Sequence, residues 1–157
     1  MLAVIGVLLW LGTASPDVPD TAIIPGAQVP DTFMKFVRGT GVLEPGEQLL
    51  FFYSDQFAVE DGFYLLTDRK VVLYDATWEK PKVLVPFGEI KDLNAEWSDN
   101  FFVDSSIHIT LLDGTLLVMP ASSEYDRDEL LYNTLREKWQ AATAGGASDL
   151  AAPGQSN

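Results

Sequence analysis

A chain of 157 residues, 47% hydrophobic and 11% aromatic, is long enough for one domain with flanking segments and apolar enough to bury a core. Ten Lys and Arg against 23 Asp and Glu give a net charge of −13, which repels phosphate backbones, argues against nucleic acid and disfavours docking on anionic lipid by charge alone. With no cysteine, disulfides, thiolate catalysis and Cys-ligated metals are excluded.

Leu2–Gly12 (LAVIGVLLWLG) is an unbroken apolar run. It is short for a membrane-spanning helix of ~20 residues and has the length of a signal-peptide core. No Lys or Arg precedes it, and Gly12 and Ala14 are small residues suitably placed for processing before Ser15. Residues 1–14 therefore read as an export signal or a membrane anchor, with a buried segment of the domain as the plain alternative. Residues 15–30 contain Pro16, Pro19, Pro25 and Pro30 and predict an extended, semi-rigid linker.

Asp31–Gly39 predicts a short helix, capped by Asp31 or Thr32, with Phe33, Met34, Phe36 and Val37 on one face and Gly39 ending it. Glu44-Pro45-Gly46-Glu47 predicts a turn, Pro presetting φ and Gly accepting a positive φ. Strands follow at Gln48–Ser54, Phe63–Leu66, Val71–Tyr74, Lys82–Phe87 and Ile90–Trp97, with a short edge piece at Phe101–Val103. Pro86 marks an edge or the end of pairing. Phe63–Leu66 and Val71–Tyr74 flank Thr67-Asp68-Arg69-Lys70 as a hairpin in the middle of a sheet.

Ile107–Leu112 and Thr115–Met119, joined by Asp113-Gly114, predict a hairpin with a two-residue type I′ turn. That register places Ile107, Ile109, Leu111, Leu116 and Val118 on the core face and His108, Thr110, Leu117 and Met119 on the opposite one. The latter four form a candidate interaction surface, with cover by a helix as the competing explanation. Ser123, with Asp126 three residues on, predicts the cap of a helix running to about Ala142, its stripe formed by Leu131, Tyr132, Leu135 and Trp139. The domain is thus read as 31–142 and residues 143–157 as a disordered tail. About seven strands and one C-terminal α-helix predict a mainly β barrel or sandwich capped by that helix.

This order of elements resembles the pleckstrin-homology (PH)-like superfold, especially bacterial PH-like domains and the related GRAM domains. The likeness covers about Glu47 to Trp139 and is most specific at Phe63–Tyr74, FYLLTDRKVVLY, which is similar to the Leu-Thr-Asp-Arg-Lys hairpin of those domains. Val85-Pro86-Phe87 with Glu89-Ile90 and Asp92-Leu93 resembles their next strand pair, and Trp139 stands where PH domains carry a helix tryptophan. The resemblance implies a non-catalytic fold that binds phosphoinositides, peptides or proteins, or self-assembles; fold alone does not choose among these. In phosphoinositide-binding relatives, basic residues in the first inter-strand loop clamp the phosphates. The corresponding loop, Ser54–Asp61, has three acids and no Lys or Arg, which argues against phosphoinositides.

No residue pattern specifies catalysis. His108 is the single histidine, and no Gly-x-Ser-x-Gly elbow accompanies Ser54, Ser105 or Ser106. One His with scattered acids does not make a zinc site, and Asp92–Glu96 lacks the Gly and distal Glu of a calcium loop. No cofactor or metal is expected, and there is no phosphate-cradling Gly-rich motif. The expectation is a non-enzymatic module, membrane-associated or exported through residues 1–14, binding a protein partner or a second copy of itself. A lipid or small-ligand binder using the barrel mouth is the alternative, and a His108-dependent hydrolase a more distant one.

Overall fold

The computed structural model describes residues 22–100 and 102–149. The expected signal or anchor segment, the first part of the linker and the end of the tail lie outside these residues.

Five antiparallel strands make the first sheet in the order β1 (Ile24–Pro25), β2 (Leu49–Tyr53), β3 (Gly62–Thr67), β4 (Lys70–Asp75) and β5 (Lys82–Pro86). A second antiparallel sheet follows in chain order: β6 (Ile90–Glu96), β7 (Ser105–Leu111) and β8 (Leu116–Ala121). Helix α1 (Asp31–Gly39) precedes β2, and α2 (Arg127–Asp149) ends the described chain. The expected seven strands are β2–β8, and the sheets face each other as a sandwich rather than closing into a barrel.

The central strands of the first sheet, β2–β4, are buried on both faces. Phe51, Tyr53, Leu66, Val71, Leu73 and Val85 face Ile107, Ile109 and Met119 of the second sheet, with Leu131 and Leu135 of α2 closing the same core. Phe52, Phe63, Leu65 and Val72 point the other way, onto Phe33 and Val37 of α1. Burial on both faces is why β3 and β4 read as nearly continuous apolar runs instead of alternating ones. Stacked rings extend through the second core, Phe33 on Phe52 with centroids 5.7 Å apart and Phe52 on Phe63 at 6.1 Å. Helix α2 is fastened to β6, where the Trp139 indole N–H donates to the Ile90 carbonyl at 2.9 Å.

Several local expectations need correction, among them the cap of α1, where Pro30 precedes a helix that already includes Asp31 and Thr32 and no side chain caps it. The Pro-rich segment is not a linker as far as Pro30. Ala22 and Ile23 are fully buried, β1 pairs with β2 (Ile24 opposite Phe52), and the Arg127 guanidinium donates to the Ile23 carbonyl at 2.5 Å. Its apolar side chains find a core, while Pro25 sits on an edge strand where a missing N–H is tolerated.

The second correction is the β7–β8 register. Leu111 N–H donates to Thr115 O at 2.8 Å and Gly114 N–H to Leu111 O at 3.0 Å, so the loop is the three residues Leu112-Asp113-Gly114. Only Gly114 takes a positive φ (88°), whereas a type I′ turn would also force Asp113 there. Ile109 therefore faces Leu117 and Ile107 faces Met119. One residue of slip turns the whole strand over: Met119 is buried, Leu117 packs against the core, and Leu116 and Val118 are exposed.

Third, the Ser123 side chain caps no helix. Tyr125 and Asp126 adopt positive φ (60° and 55°), and this kink separates Ser123 from a helix that starts at Arg127. Ser123 itself is in the αR region, where its hydroxyl is not aimed as a cap requires. Fourth, α2 continues past Ala142 to Asp149, and Phe102–Val103 form a turn and bend rather than an edge strand.

Candidate interaction surfaces

The most specific sequence motif is a structural joint. β3 and β4 pair through Leu66–Val71, leaving Asp68-Arg69 as a two-residue loop. The Thr67 hydroxyl accepts from the Lys70 N–H at 3.0 Å and donates to Glu47 Oε1 at 2.6 Å. The Lys70 ammonium, only 7% exposed, is 2.9 Å from Glu47 Oε2, and Arg69 reaches Glu44 at 3.1 Å. Asp68 accepts from Gln48 N–H at 2.9 Å and returns its own N–H to the Gln48 carbonyl at 2.9 Å. Thr67–Lys70 thus ties the central hairpin to the 44–48 turn. Burial pushes the Glu47 carboxyl up, but the Glu44 N–H, the Thr67 hydroxyl and the Lys70 ammonium outweigh it and hold the group below its ordinary value.

The structure divides the candidate surface expected on β7–β8. His108 and Thr110 lie on the outward face of the second sheet, whereas Leu117 and Met119 belong to the core side. Their outward neighbours on β8 are Leu116, opposite Thr110, and Val118, opposite His108, 56% and 48% exposed. Leu112, at the hairpin tip, is exposed as well. Strand β8 is an end strand of its sheet and carries no charged residue from Leu116 to Ala121. With 111/115 a hydrogen-bonded pair, the alternation of an antiparallel ladder directs the backbone groups of Leu116 and Val118 toward the open edge. His108 Nε2 makes no hydrogen bond and stands 3.9 Å from Glu96 Oε2. Read from the sequence, Leu116 and Val118 fall on the core face, because Asp-Gly serves two hairpin loops that differ by one residue.

The opposite end of the sandwich carries the loops 54–61, 76–81, 97–104 and 122–126. Here the Tyr53 hydroxyl donates to Asp104 Oδ2 at 2.5 Å, tying the first loop's root to the β6–β7 loop. The Ser105 hydroxyl donates to Asp128 Oδ2 at 2.6 Å, joining the root of β7 to the first turn of α2. Burial, with Asp55, Asp128 and Glu124 nearby, raises the Asp104 carboxyl despite the stabilising tyrosine bond. Burial likewise pushes the Tyr53 phenol well up, and the Tyr64 phenol to about 12, with acids around both. The carboxylates Asp55, Asp104, Glu124 and Asp128 give this end the wrong sign for an anion.

Two grooves border α1. One, of about 680 Å³, runs between Met34 and Arg38 on the helix and Leu43–Leu49. The other, of about 520 Å³, lies between Lys35 and Phe36 and the pair Glu60 and Tyr74. Among the described residues no group of three His, Asp or Glu is arranged to hold a metal ion, and no helix is long and apolar enough to cross a membrane.

No protein-family model matches the sequence, and no curated protein matches it. Solved structures do resemble it. A DUF1696-family protein with a pleckstrin-homology domain from Shewanella loihica PV-4 superposes with a TM-score of 0.52 at 16% identity, covering 75% of this chain and 96% of that one. A PH-domain-containing bacterial protein from Exiguobacterium sibiricum 255-15 gives 0.53 at 18% identity, covering 87% and 79%. At such identities the likeness is one of fold: two facing antiparallel sheets with a C-terminal helix, arranged as in PH domains.

Proposed function

We propose that the chain is a non-catalytic interaction module on a PH-like scaffold, GRAM-like in its central hairpin, that binds a protein partner or a second copy of itself. The observation that carries this reading is the uncharged end strand β8, with Leu116 and Val118 outward beside unpaired backbone. An apolar row on an open sheet edge accepts another extended segment, while the buried Met119 side holds the sandwich together. The protein acts at a membrane or after export, tethered or delivered by residues 1–14, whose apolar run is followed by prolines. Phosphoinositides are not the ligand, since Ser54–Asp61 offers acids where phosphate needs bases.

The test uses the full-length chain. In-cell crosslinking should capture a partner or a second copy, and Leu116→Glu with Val118→Lys should abolish the crosslinks without unfolding the protein. Crosslinks unchanged by these substitutions would remove β8 from the proposal. Fractionation should find the chain with the membrane or shortened near Ala14. A small-ligand module is the second reading, favoured by the groove between Phe36 and Tyr74. Phe36→Trp, reporting on apolar probe binding by its fluorescence, would separate the two.

A further inference from the structure

The end strands of the two sheets are not equally protected. β1 is two residues long and includes Pro25, and β5 carries Lys82 at one end and Pro86 at the other. β6 carries Lys91, Asp92 and Glu96 and gives its Ile90 carbonyl to the Trp139 indole. Such features keep a second strand away. β8 has no charge from Leu116 to Ala121, and among the described residues nothing bonds the outward N–H and C=O groups of Leu116 and Val118. The ladder alternation also turns position 120 outward, where proline offers a carbonyl but no N–H. At the hairpin tip the Gly114 N–H is already taken by the Leu111 carbonyl at 3.0 Å. The open edge is therefore a short strip, complete only at Leu116 and Val118.

That strip is complementary to itself. Resting on the interaction reading of this edge, we propose that its occupant is β8 of a second copy of the chain, in a two-fold dimer. Two edge strands related by such an axis run antiparallel. With the axis at Leu117, Leu116 of each copy opposes Val118 of the other, and each pair exchanges both of its N–H···O bonds. Every outward backbone group of Leu116 and Val118 then has a partner. Moving the axis to Leu116 sets Val118 against Gly114, whose N–H is taken; moving it to Val118 sets Leu116 against Pro120 and leaves the Leu116 carbonyl without a donor. The half-exposed Leu116 and Val118 side chains cover each other across the seam. The charge of −13 on each chain does not oppose this contact locally. Asp92 and Glu96, the acids of the outward face, lie two strands inward on β6. Five strand spacings, about 24 Å, separate them from their counterparts, well beyond the ~8 Å screening length. Asp113 comes opposite the uncharged Ala121.

The chain has no cysteine, so an introduced one reports only its own position. Full-length Leu116→Cys and Val118→Cys, both at exposed sites, are prepared separately, mixed in the reduced state and oxidised, and the disulfide-linked products are resolved by mass. Opposed residues on paired strands lie within disulfide reach, whereas Leu116 and its own counterpart stand on a diagonal of about 7–8 Å, beyond it. The mixed disulfide should exceed either same-variant product at least about tenfold, against about twofold for random collision. A ratio near the random one, a dominant same-variant product or no disulfide at all would overturn the dimer. The wider reading of β8 fails separately. If Leu116→Glu with Val118→Lys abolishes in-cell crosslinks to another protein while no mixed disulfide forms, the edge takes a foreign strand and only the self-pairing falls.

Discussion

At the scale of single residues, Thr67, Glu47 and Lys70 show how a family-like motif can be entirely structural. A nearly buried ammonium is tolerable only with its carboxylate in place, since a lone buried charge is expensive. Glu47→Gln should therefore destabilise the protein by about 2 kcal/mol in urea denaturation at neutral pH, the nearby Glu44 limiting the damage. The pH dependence has a defined sign. The folded Glu47 carboxyl lies below its ordinary value of 4.5, so the unfolded chain takes up the proton first as pH falls. Its contribution is complete above about pH 4.5 and disappears as pH drops through the folded value. Asp104 acts oppositely: its raised carboxyl carries a penalty at neutral pH that protonation relieves. Removing Glu47 should flatten the acid limb of the stability profile, and an unaltered limb would show that other carboxylates govern it.

At the scale of elements, the β7–β8 hairpin separates what patterning reveals from what it conceals. Two apolar runs around Asp-Gly announce a hairpin. They do not say whether Asp113 or only Gly114 turns left-handed, and that choice decides which row of β8 is inside. The structure makes a sharp statement: Met119→Lys should cost about 3–5 kcal/mol or prevent folding, while Val118→Lys should change stability by less than about 0.5 kcal/mol. Thermal denaturation of the two variants checks it, and the reverse ranking would restore the two-residue loop. Helix α1 and the strands β2–β6 were legible because each is bounded by Pro, Gly or Asp and has a single strong period or a doubly buried run. The α2 start was not, because a kink at Tyr125-Asp126 has no local sequence signature and left Ser123 looking like a cap.

At the scale of the whole molecule, the domain begins earlier than its first helix. Ile23 is sealed in the inter-sheet core, and its carbonyl receives Arg127 from 104 residues away. Gly26 lies so close to the Leu49 carbonyl that an added Cβ would stand 2.0 Å from its oxygen. A chain starting at Asp31 should therefore lose about 3 kcal/mol relative to one starting at Ala22, from one buried isoleucine and one charge-assisted hydrogen bond. Urea midpoints of the two chains measure the difference, and equal midpoints would return residues 22–30 to the status of a linker. Composition cannot show this, because a proline-rich edge strand and a proline-rich tether read alike.

The first sheet belongs to two cores at once, Leu66, Val71 and Leu73 on one side and Phe63, Leu65 and Val72 on the other. Neither half of the molecule is therefore an independent folding unit. Detaching α1 would uncover the aromatic stack on β2 and β3, and detaching the second sheet would uncover the reverse of the same strands. The domain is thus built to open all at once. The β3–β4 hairpin is the wall the two cores share, and a lesion in either core will be felt in both.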